Sequence, residues 1–206
     1  MQLKVCGLKE WSNIEEVVAL GPDYIGLIFY EESKRYVGAY PALKTYLRKL
    51  TSVKKVGVFV GAPYKEVLKT ADDYALDYVQ LHGSEGAEYC EAVNASVPVI
   101  KTFGVLEDFD FECLELYVKA CASFLFDTYS EQHGGTGKQF DWKLLDKYHI
   151  DKPFFLSGGI GPGDVAAIKK IRNPYLMGID VNSRFEFRPG YKRIDLLEQL
   201  IYEIRN

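Results

Sequence analysis

The sequence of 206 residues contains no apolar run that approaches the roughly 18 residues needed to span a bilayer. It also has no basic excess, because 29 acidic residues against 25 Lys and Arg give a net charge of −4. Nucleic acid is therefore not an expected partner. The first residues enter a strand pattern directly, without the charged and apolar regions of a signal peptide. These absences predict a cytoplasmic protein that binds neither nucleic acid nor membranes.

Cysteine and histidine are both scarce. The four cysteines, Cys6, Cys90, Cys113 and Cys121, show no C-x-x-C spacing, and there are only three histidines. This distribution carries no metal-site signature, so we expect no bound metal. In a reducing cytosol, the default expectation is four free thiols.

The sequence does contain a regular alternation of apolar runs and helical segments. With 48% hydrophobic residues the chain can build a large core. We expect strands at Leu3–Cys6, Tyr24–Phe29, Val56–Val60, Tyr78–Leu81, Pro98–Phe103, Ser123–Phe126, Pro153–Ser157 and Leu176–Val181. Helices are expected at Asn13–Leu20 (capped by Ser12), Pro41–Leu50, Tyr64–Tyr74, Ala87–Val93, Phe111–Ala120, Trp142–Lys147, Gly163–Ile171 and Ile194–Ile204.

Eight such units predict the α/β class and parallel strands joined by helical crossovers. Their number and the chain length match the lower size limit of a (β/α)₈ TIM barrel, here one domain over residues 1–206. An open doubly wound sheet is the alternative fold. Its dinucleotide fingerprint needs G-x-G-x-x-G after the first strand, where this chain has Cys6-Gly7-Leu8-Lys9.

Polar residues recur near the carboxyl ends of the predicted strands. If Leu3 and Val5 face the helices, Lys4 and Cys6 point into the barrel, because side chains alternate along a strand. Active sites of this fold gather at that end of the barrel. The same reasoning brings four further polar residues there: Gln80, His82, Asp127 (expected just past the sixth strand) and Asp180.

Two small-residue turns follow the seventh and eighth strands. They are Ser157-Gly158-Gly159-Ile160 and Asn182-Ser183-Arg184. If each turn starts a helix, unpaired backbone amides and the positive dipole ends favour an anion there. In barrels of this class the phosphate site most often lies in these two loops. These two turns therefore predict a phosphorylated small-molecule ligand.

Four features permit both a functional and an ordinary interpretation. Asp127 follows an apolar run that would raise its pKa and suit a general acid, or it is a cap at a strand end. Cys6 is a candidate general base, or a packed small side chain. The planar guanidinium of Arg35 is suited to bind a carboxylate through two parallel N–H bonds. Alternatively, Arg35 belongs to a solvated basic loop. Gly134–Lys138 resembles a phosphate loop but departs from the Walker A pattern, and a lid over the site suits it equally well.

Taken together, the motifs resemble the phosphoribosylanthranilate isomerase family, and the resemblance covers essentially the whole chain. The motifs that carry it are Lys4-Val5-Cys6-Gly7, Ser33-Lys34-Arg35-Tyr36-Val37, Gly57-Val58-Phe59-Val60, Val79-Gln80-Leu81-His82-Gly83, Asp127 with Gly134-Gly135-Thr136-Gly137-Lys138-Gln139-Phe140-Asp141-Trp142, and Ser157-Gly158-Gly159-Ile160. The chain departs from the family at Arg184 and Phe185, where glycine and valine are usual.

The resemblance implies an Amadori rearrangement in tryptophan biosynthesis, without a cofactor. We expect a monomer or homodimer. The resemblance assigns Asp127 as the acid, Cys6 as the base and Arg35 as the group that binds the anthranilate carboxylate. It further implies sugar contacts by His82 and Asp180 and phosphate binding by Gly158, Gly159, Ser183 and Arg184.

Two other functions stay open at this stage. A related barrel isomerase of histidine synthesis uses a pair of aspartates, and Cys6 in place of the first argues against it. A phosphosugar-binding protein without catalysis would keep Gly158 and Gly159 but would not need Cys6 opposite Asp127.

Overall fold

A computed structural model describes residues 1–38, 41–129 and 139–206. Eight parallel strands close into a barrel in chain order, as the alternating pattern predicts. The strands are β1 (Gln2–Val5), β2 (Tyr24–Ile28), β3 (Lys54–Phe59), β4 (Tyr78–Leu81), β5 (Val99–Val105), β6 (Ser123–Thr128), β7 (Phe154–Leu156) and β8 (Leu176–Val181).

Helices connect the strands on the outside of the barrel. They are α1 (Trp11–Ala19), α2 (Pro41–Lys49), α3 (Tyr64–Asp73), α4 (Ala87–Asn94), α5 (Val165–Ile168) and α6 (Ile194–Arg205). In the described parts of the chain, 3₁₀ segments lie at Phe111–Tyr117, Trp142–Lys147 and Ser183–Phe185. A short antiparallel hairpin, β9 (Glu186–Arg188) and β10 (Tyr191–Lys192), precedes α6.

Several predicted boundaries were wrong. Ser12 does not cap α1, because the helix already begins at Trp11 and its N-cap residue is Glu10. The helix expected at Gly163–Ile171 is reduced to the four residues of α5. The fifth and sixth connections, after β5 and β6, contain 3₁₀ turns instead of α-helices. The hairpin β9–β10 was not predicted at all.

Barrel closure joins the two ends of the sheet. Strand β1 pairs with β8 in a register that sets Lys4 opposite Asp180. Since parallel neighbours in register present the same face, both side chains enter the barrel at one level. The two ends of the strand series thus meet directly at the polar part of the interior.

The amino-terminal half of the barrel interior is filled by apolar side chains. Val56, Ile100, Leu125 and Phe155 are fully buried and pack together with Tyr24. Tyr24 meets Phe155 edge to face, with ring centroids 5.3 Å apart. This layer fills the amino-terminal half of the interior, and the charged side chains lie beyond it, towards the carboxyl end.

In the parts of the chain that the structure describes, no helix has the length and apolar character that crossing a membrane requires. The same residues contain no group of three or more His, Cys, Asp or Glu side chains arranged to hold a metal ion. The Gly134–Lys138 loop, predicted to be a phosphate loop or a lid, lies outside the described residues.

Candidate active site

A buried ion pair lies at the centre of the carboxyl end. Lys4 is fully buried, and its Nζ donates to Oδ1 of Asp180 over 2.9 Å. Ser157 Oγ lies 3.4 Å from the other oxygen, Oδ2, of Asp180. Burial disfavours the Lys4 charge, but Asp180 and Cys6 outweigh it and raise the pKa of Lys4. The lysine therefore stays charged inside the barrel.

Asp127 lies within β6, one residue before its end, and not past the strand as predicted. Its Oδ1 accepts the backbone N–H of Thr128 at 2.8 Å. Burial, reinforced by the nearby charge of Asp180, raises the pKa of Asp127 to about 7. A carboxyl group that still carries its proton near neutral pH is suited to donate it.

His82 faces Asp127 from β4's carboxyl end, with Nε2 3.6 Å from Oδ2. On its other side, His82 Nδ1 lies 3.1 Å from the side-chain nitrogen of Gln80, which also donates to Thr102 Oγ1 at 3.1 Å. Gln80 therefore links His82 to Thr102 and holds the imidazole ring next to Asp127.

Cys6 directly follows β1 and is buried. Burial, together with the charge of Asp180, raises the pKa of its thiol, while Lys4 and Lys192 oppose this increase without cancelling it. Gly26 on β2 leaves the space for the sulfur, because a Cβ atom there would lie 2.6 Å from Cys6 Sγ. Cys6 is thus a neutral thiol at rest, held beside two lysines that favour its ionised form.

Gly158 lies against the candidate acid. It has a φ of +90°, and a Cβ atom on it would lie 2.4 Å from Thr128 Oγ1 and 3.0 Å from Asp127 Oδ1. Only glycine accepts both the conformation and the contact. The sequence suggested phosphate binding for Gly158, but its packing makes it a wall of the pocket around Asp127 as well.

Arg35 lies between β2 and α2, with most of its side chain buried. Its Nε and Nη2 donate to the carboxylate of Glu186 at 2.9 Å and 2.6 Å. The stem of Arg35 packs on Gly7, the residue after Cys6, since a Cβ atom there would lie 2.7 Å from Arg35 Cδ. The guanidinium is therefore held at the edge of the same site, and an internal carboxylate occupies one side of its fork.

The two predicted phosphate turns differ from expectation. Gly158 and Gly159 take φ values of +90° and +64°. Helix α5 has only four residues, and β8 is followed by the 3₁₀ turn Ser183–Phe185 and the hairpin. The prediction of two full helix N-termini side by side was therefore wrong. What remains is a pair of adjoining turns.

These two turns contact one another through Arg184. This residue is exposed, and its stem lies across Gly161, where a Cβ atom would be 3.0 Å from Arg184 Cδ. The amide of Gly161 donates to Asp164 Oδ2 at 2.7 Å, so an acidic side chain already uses one N–H of this loop. Any phosphate here shares the loops with both a cation and a carboxylate.

The nine predicted residues thus fall into three neighbouring groups. The first group lies at the carboxyl end of the barrel interior and consists of Cys6, His82, Asp127 and Asp180. Arg35 lies at the edge of this group. The remaining four, Gly158, Gly159, Ser183 and Arg184, form the loops after β7 and β8.

Sequence reasoning missed four contributors. The inward alternation of Lys4 and Gln80 was visible, but neither residue was assigned to the site. Glu186 and Lys192, in contrast, lie on the unpredicted hairpin, and no local pattern indicated that Glu186 contacts Arg35 and Lys192 contacts Glu186.

A closed eight-stranded parallel barrel with a partly buried acid, a buried thiol and a buried ion pair at its carboxyl end defines the (β/α)₈-barrel enzymes as the class of this protein. Residues 3–203 match the family model described as N-(5'-phosphoribosyl)anthranilate (PRA) isomerase. The chain belongs to this family and is an isomerase.

Individual relatives agree with the family match. The chain is 45% identical over 206 residues to the N-(5'-phosphoribosyl)anthranilate isomerase of Parabacteroides distasonis, covering 99% of this chain and 93% of that one. The phosphoribosyl anthranilate isomerase of Thermus thermophilus superposes with a TM-score of 0.87 at 28% identity, covering 100% and 98%. Another solved structure is a phosphoribosyl anthranilate isomerase in complex with reduced 1-(o-carboxyphenylamino)-1-deoxyribulose 5-phosphate. It superposes with a TM-score of 0.82 at 30% identity, covering 100% of this chain and 98% of that one.

Proposed function

We propose that this protein catalyses the Amadori rearrangement of N-(5'-phosphoribosyl)anthranilate to 1-(2-carboxyphenylamino)-1-deoxyribulose 5-phosphate, a step of tryptophan biosynthesis. The family match supports the reaction. The observation that carries the mechanism is Asp127, whose carboxyl has a pKa of about 7 and faces the same buried centre as the Cys6 thiol. An acid and a base at one centre are what an aldose-to-ketose isomerisation needs.

The rearrangement is an isomerisation that opens the ribose ring and moves protons, so substrate and product have the same atoms. Asp127 donates a proton to the ribose ring oxygen, the bond from that oxygen to C1' breaks, and a Schiff base forms with the anthranilate nitrogen. Cys6 as thiolate then takes the proton from C2', giving an enolamine that tautomerises to the ketone. Each acid–base step contributes about 10²–10⁴-fold to the rate.

The remaining predicted residues bind the substrate in this proposal. Arg35 binds the anthranilate carboxylate with the side of its guanidinium that Glu186 leaves open. His82 and Asp180 lie beside Asp127 and Lys4, where sugar hydroxyls would replace solvent. The loops with Gly158, Gly159, Ser183 and Arg184 hold the phosphate, mainly through backbone amides.

The direct test uses freshly prepared phosphoribosylanthranilate. Its fluorescence should disappear when the purified protein is added, at a rate proportional to enzyme concentration. Turnover that is absent under conditions in which another isomerase of the family works would overturn the proposed function.

A first prediction concerns the carboxylate clamp. Arg35→Lys keeps the charge but loses the fork to both Glu186 and the substrate, so KM should rise by more than kcat falls. Steady-state kinetics would measure both constants. Arg48→Lys is the matched control, because exposed Arg48 donates to the carbonyls of Asp72 and Asp73 at the end of α3. An unchanged KM in Arg35→Lys would show that another group binds the anthranilate ring.

A second prediction concerns Arg184, where the chain departs from its family. Since the proposed cradle uses amides and the Arg184 side chain is exposed, Arg184→Gly should change KM only slightly at low salt. KM would be measured at low and high ionic strength. A large rise in KM that fades as salt is added would instead indicate a screened contact of the guanidinium with the phosphate.

Location and assembly remain predictions. The composition is that of a cytoplasmic enzyme, and we infer a monomer or homodimer that needs no metal or cofactor. Size-exclusion chromatography with light scattering decides between the two assembly states.

A further inference from the structure

The hairpin after β8 brings two charged side chains to Arg35. Glu186 accepts Arg35 Nε and Nη2, and its side chain is 4% exposed. Lys192 is fully buried, and its Nζ donates to Glu186 Oε1 at 2.8 Å. Arg35, Glu186 and Lys192 therefore form one row of charges, positive, negative and positive, which we call the charge row.

The far end of the charge row is fixed in place. Lys192 Nζ also donates to Asn182 Oδ1 at 2.7 Å, directly after β8. The backbone of Lys192 is held by the buried side chain of Asn13 on α1, with N–H to Oδ1 at 2.6 Å and Nδ2 to the carbonyl at 3.0 Å. With these partners fixed, Lys192 stays directed at Glu186.

The near end of the charge row adjoins the chemistry. Gly7 follows Cys6, and a Cβ atom on Gly7 would lie 2.6 Å from Asn182 Oδ1 and 2.7 Å from Arg35 Cδ. Glu186 occupies the Nε side of the guanidinium. Among the described residues, Arg35 Nη1 makes no hydrogen bond, so this side is available to a ligand carboxylate.

The net charge of the charge row depends on Lys192. Arg35 and Glu186 alone sum to zero, and a neutral pair attracts an incoming carboxylate only weakly. With Lys192 the three groups carry one net positive charge in a partly desolvated place, where charges act strongly. Burial would raise the pKa of Glu186, but Arg35 and Lys192 hold it below its ordinary value. Glu186 is therefore ionised and needs the counter-charge.

We propose that Lys192, acting through Glu186, is a positioning residue for substrate recognition: it neutralises Glu186 so that Arg35 keeps its charge for an aromatic carboxylate. This inference rests on the proposed function. It adds that recognition of the carboxylate depends on a lysine that does not itself touch the substrate.

The titration of Lys192 supports the same role. Burial lowers the pKa of Lys192 to about 8, although Glu186 and Cys6 act in the opposite direction and Arg35 lowers it further. Asn182 and Asn13, which contact it from the other sides, are uncharged. Lys192 is thus protonated below about pH 8 and neutral above. Carboxylate binding should weaken as pH rises through this value.

The experiment compares two inhibitors by calorimetry. One is reduced 1-(o-carboxyphenylamino)-1-deoxyribulose 5-phosphate, and the other is its phenylamino counterpart without the carboxylate. The ratio of their Kd values isolates the carboxylate contribution. We expect the wild type to prefer the carboxylate by about tenfold or more at pH 7, the scale of one charge-assisted hydrogen bond.

Lys192→Met should reduce this preference to near one, whereas the double variant Lys192→Met with Glu186→Gln should recover most of it. The double variant again carries one net positive charge. A merely structural lysine would give no recovery, because the double change removes more contacts than the single one. Retained preference in Lys192→Met, or no recovery in the double variant, would overturn the proposal.

The pH dependence provides a test that needs no Lys192 variant. The wild-type preference should fall above about pH 8, while Glu186→Gln should keep it, since its Arg35 is never neutralised. A preference in the wild type that is constant across pH 8 would also overturn the proposal.

Lys55→Met is the matched control, because buried Lys55 on β3 donates to the Leu50 carbonyl and faces Asp77, away from Arg35. Its preference should equal that of the wild type. If the wild type binds both inhibitors equally well at pH 7, the role of Arg35 in the proposed function fails. If the wild type prefers the carboxylate inhibitor and Lys192→Met leaves that preference unchanged, only the inference about Lys192 fails.

Discussion

Replacing Asp127 by Asn is expected to lower kcat by about 10²–10⁴-fold, because the amide keeps the shape but cannot donate the proton to the ring oxygen. The variant should remain folded, since Asn can still accept the Thr128 amide that Asp127 accepts. Single-turnover and steady-state rates with phosphoribosylanthranilate measure the loss. Near-normal turnover would remove Asp127 from the role of acid.

The pH profile gives this prediction a second readout. Asp127 has a pKa of about 7, whereas that of Cys6 is raised above the ordinary 9.0. The form with protonated Asp127 and ionised Cys6 is then a minor fraction, about 1% or less near neutrality. Below pH 7 this fraction grows with pH as the thiolate forms. Above pH 7 the loss of the Asp127 proton cancels that gain.

We therefore expect kcat/KM of the wild type to rise with pH and to stop rising near 7. In Asp127→Asn the break near 7 should vanish, and the residual activity should continue to rise with the thiolate. Asp23→Asn is the control, because Asp23 accepts the Leu3 amide at the opposite end of the barrel. A break near 7 that survives in Asp127→Asn would assign it to another group.

Replacing Cys6 by Ser is the second large effect that we expect, again about 10²–10⁴-fold in kcat. A hydroxyl fits the space beside Gly26, but it ionises far less readily than a thiol and cannot take the proton from C2' at neutral pH. KM should change much less, since Cys6 is not assigned to ground-state binding.

The control for Cys6 is Cys121→Ser. Cys121 is also buried, but it lies before β6 and outside the candidate site. It should retain nearly full activity per folded molecule, as judged by thermal unfolding followed in parallel. If Cys6→Ser turned over normally, the thiol would be a packing group, and the base would have to be sought elsewhere.

The fold was predictable because each strand carries its own apolar pattern. Local periodicity is sufficient to place β4 and β8, whose bounds agree with prediction. It failed where the length of an element depends on tertiary packing. Helix α5 stops at Ile168 although the apolar pattern continues, and Ser12 was taken for a cap although Trp11 already belongs to the helix.

The part of the candidate site that lies on the strands was predictable from the alternation of side chains. Lys4 and Cys6 were expected to face inward, and Lys4 indeed meets Asp180. The packing role of glycines such as Gly26 and Gly158 could not be predicted, because these residues leave room for a side chain on another strand. No spacing in the sequence indicates which atom comes within 3 Å of a missing Cβ.

The charge row was the least predictable part of the site. Arg35 and Glu186 are 151 residues apart, so nothing local connects them. The segment around Lys192 was not assigned to any element by its sequence, and it folds as β10. Its polar residues alternate too briefly to indicate a two-stranded hairpin.

The pairing of Lys4 with Asp180 has a consequence for how the protein is made. The two residues are 176 positions apart, so translation at 5–20 residues per second delivers the carboxylate roughly 9–35 s after the lysine. During that interval the nascent chain holds a cation with no barrel partner, and burying it would be costly. The final strand therefore supplies both the last edge of the sheet and the charge that allows the interior to close. We therefore expect enzyme activity in a translation reaction to appear only after β8 and the segment that follows it have been made.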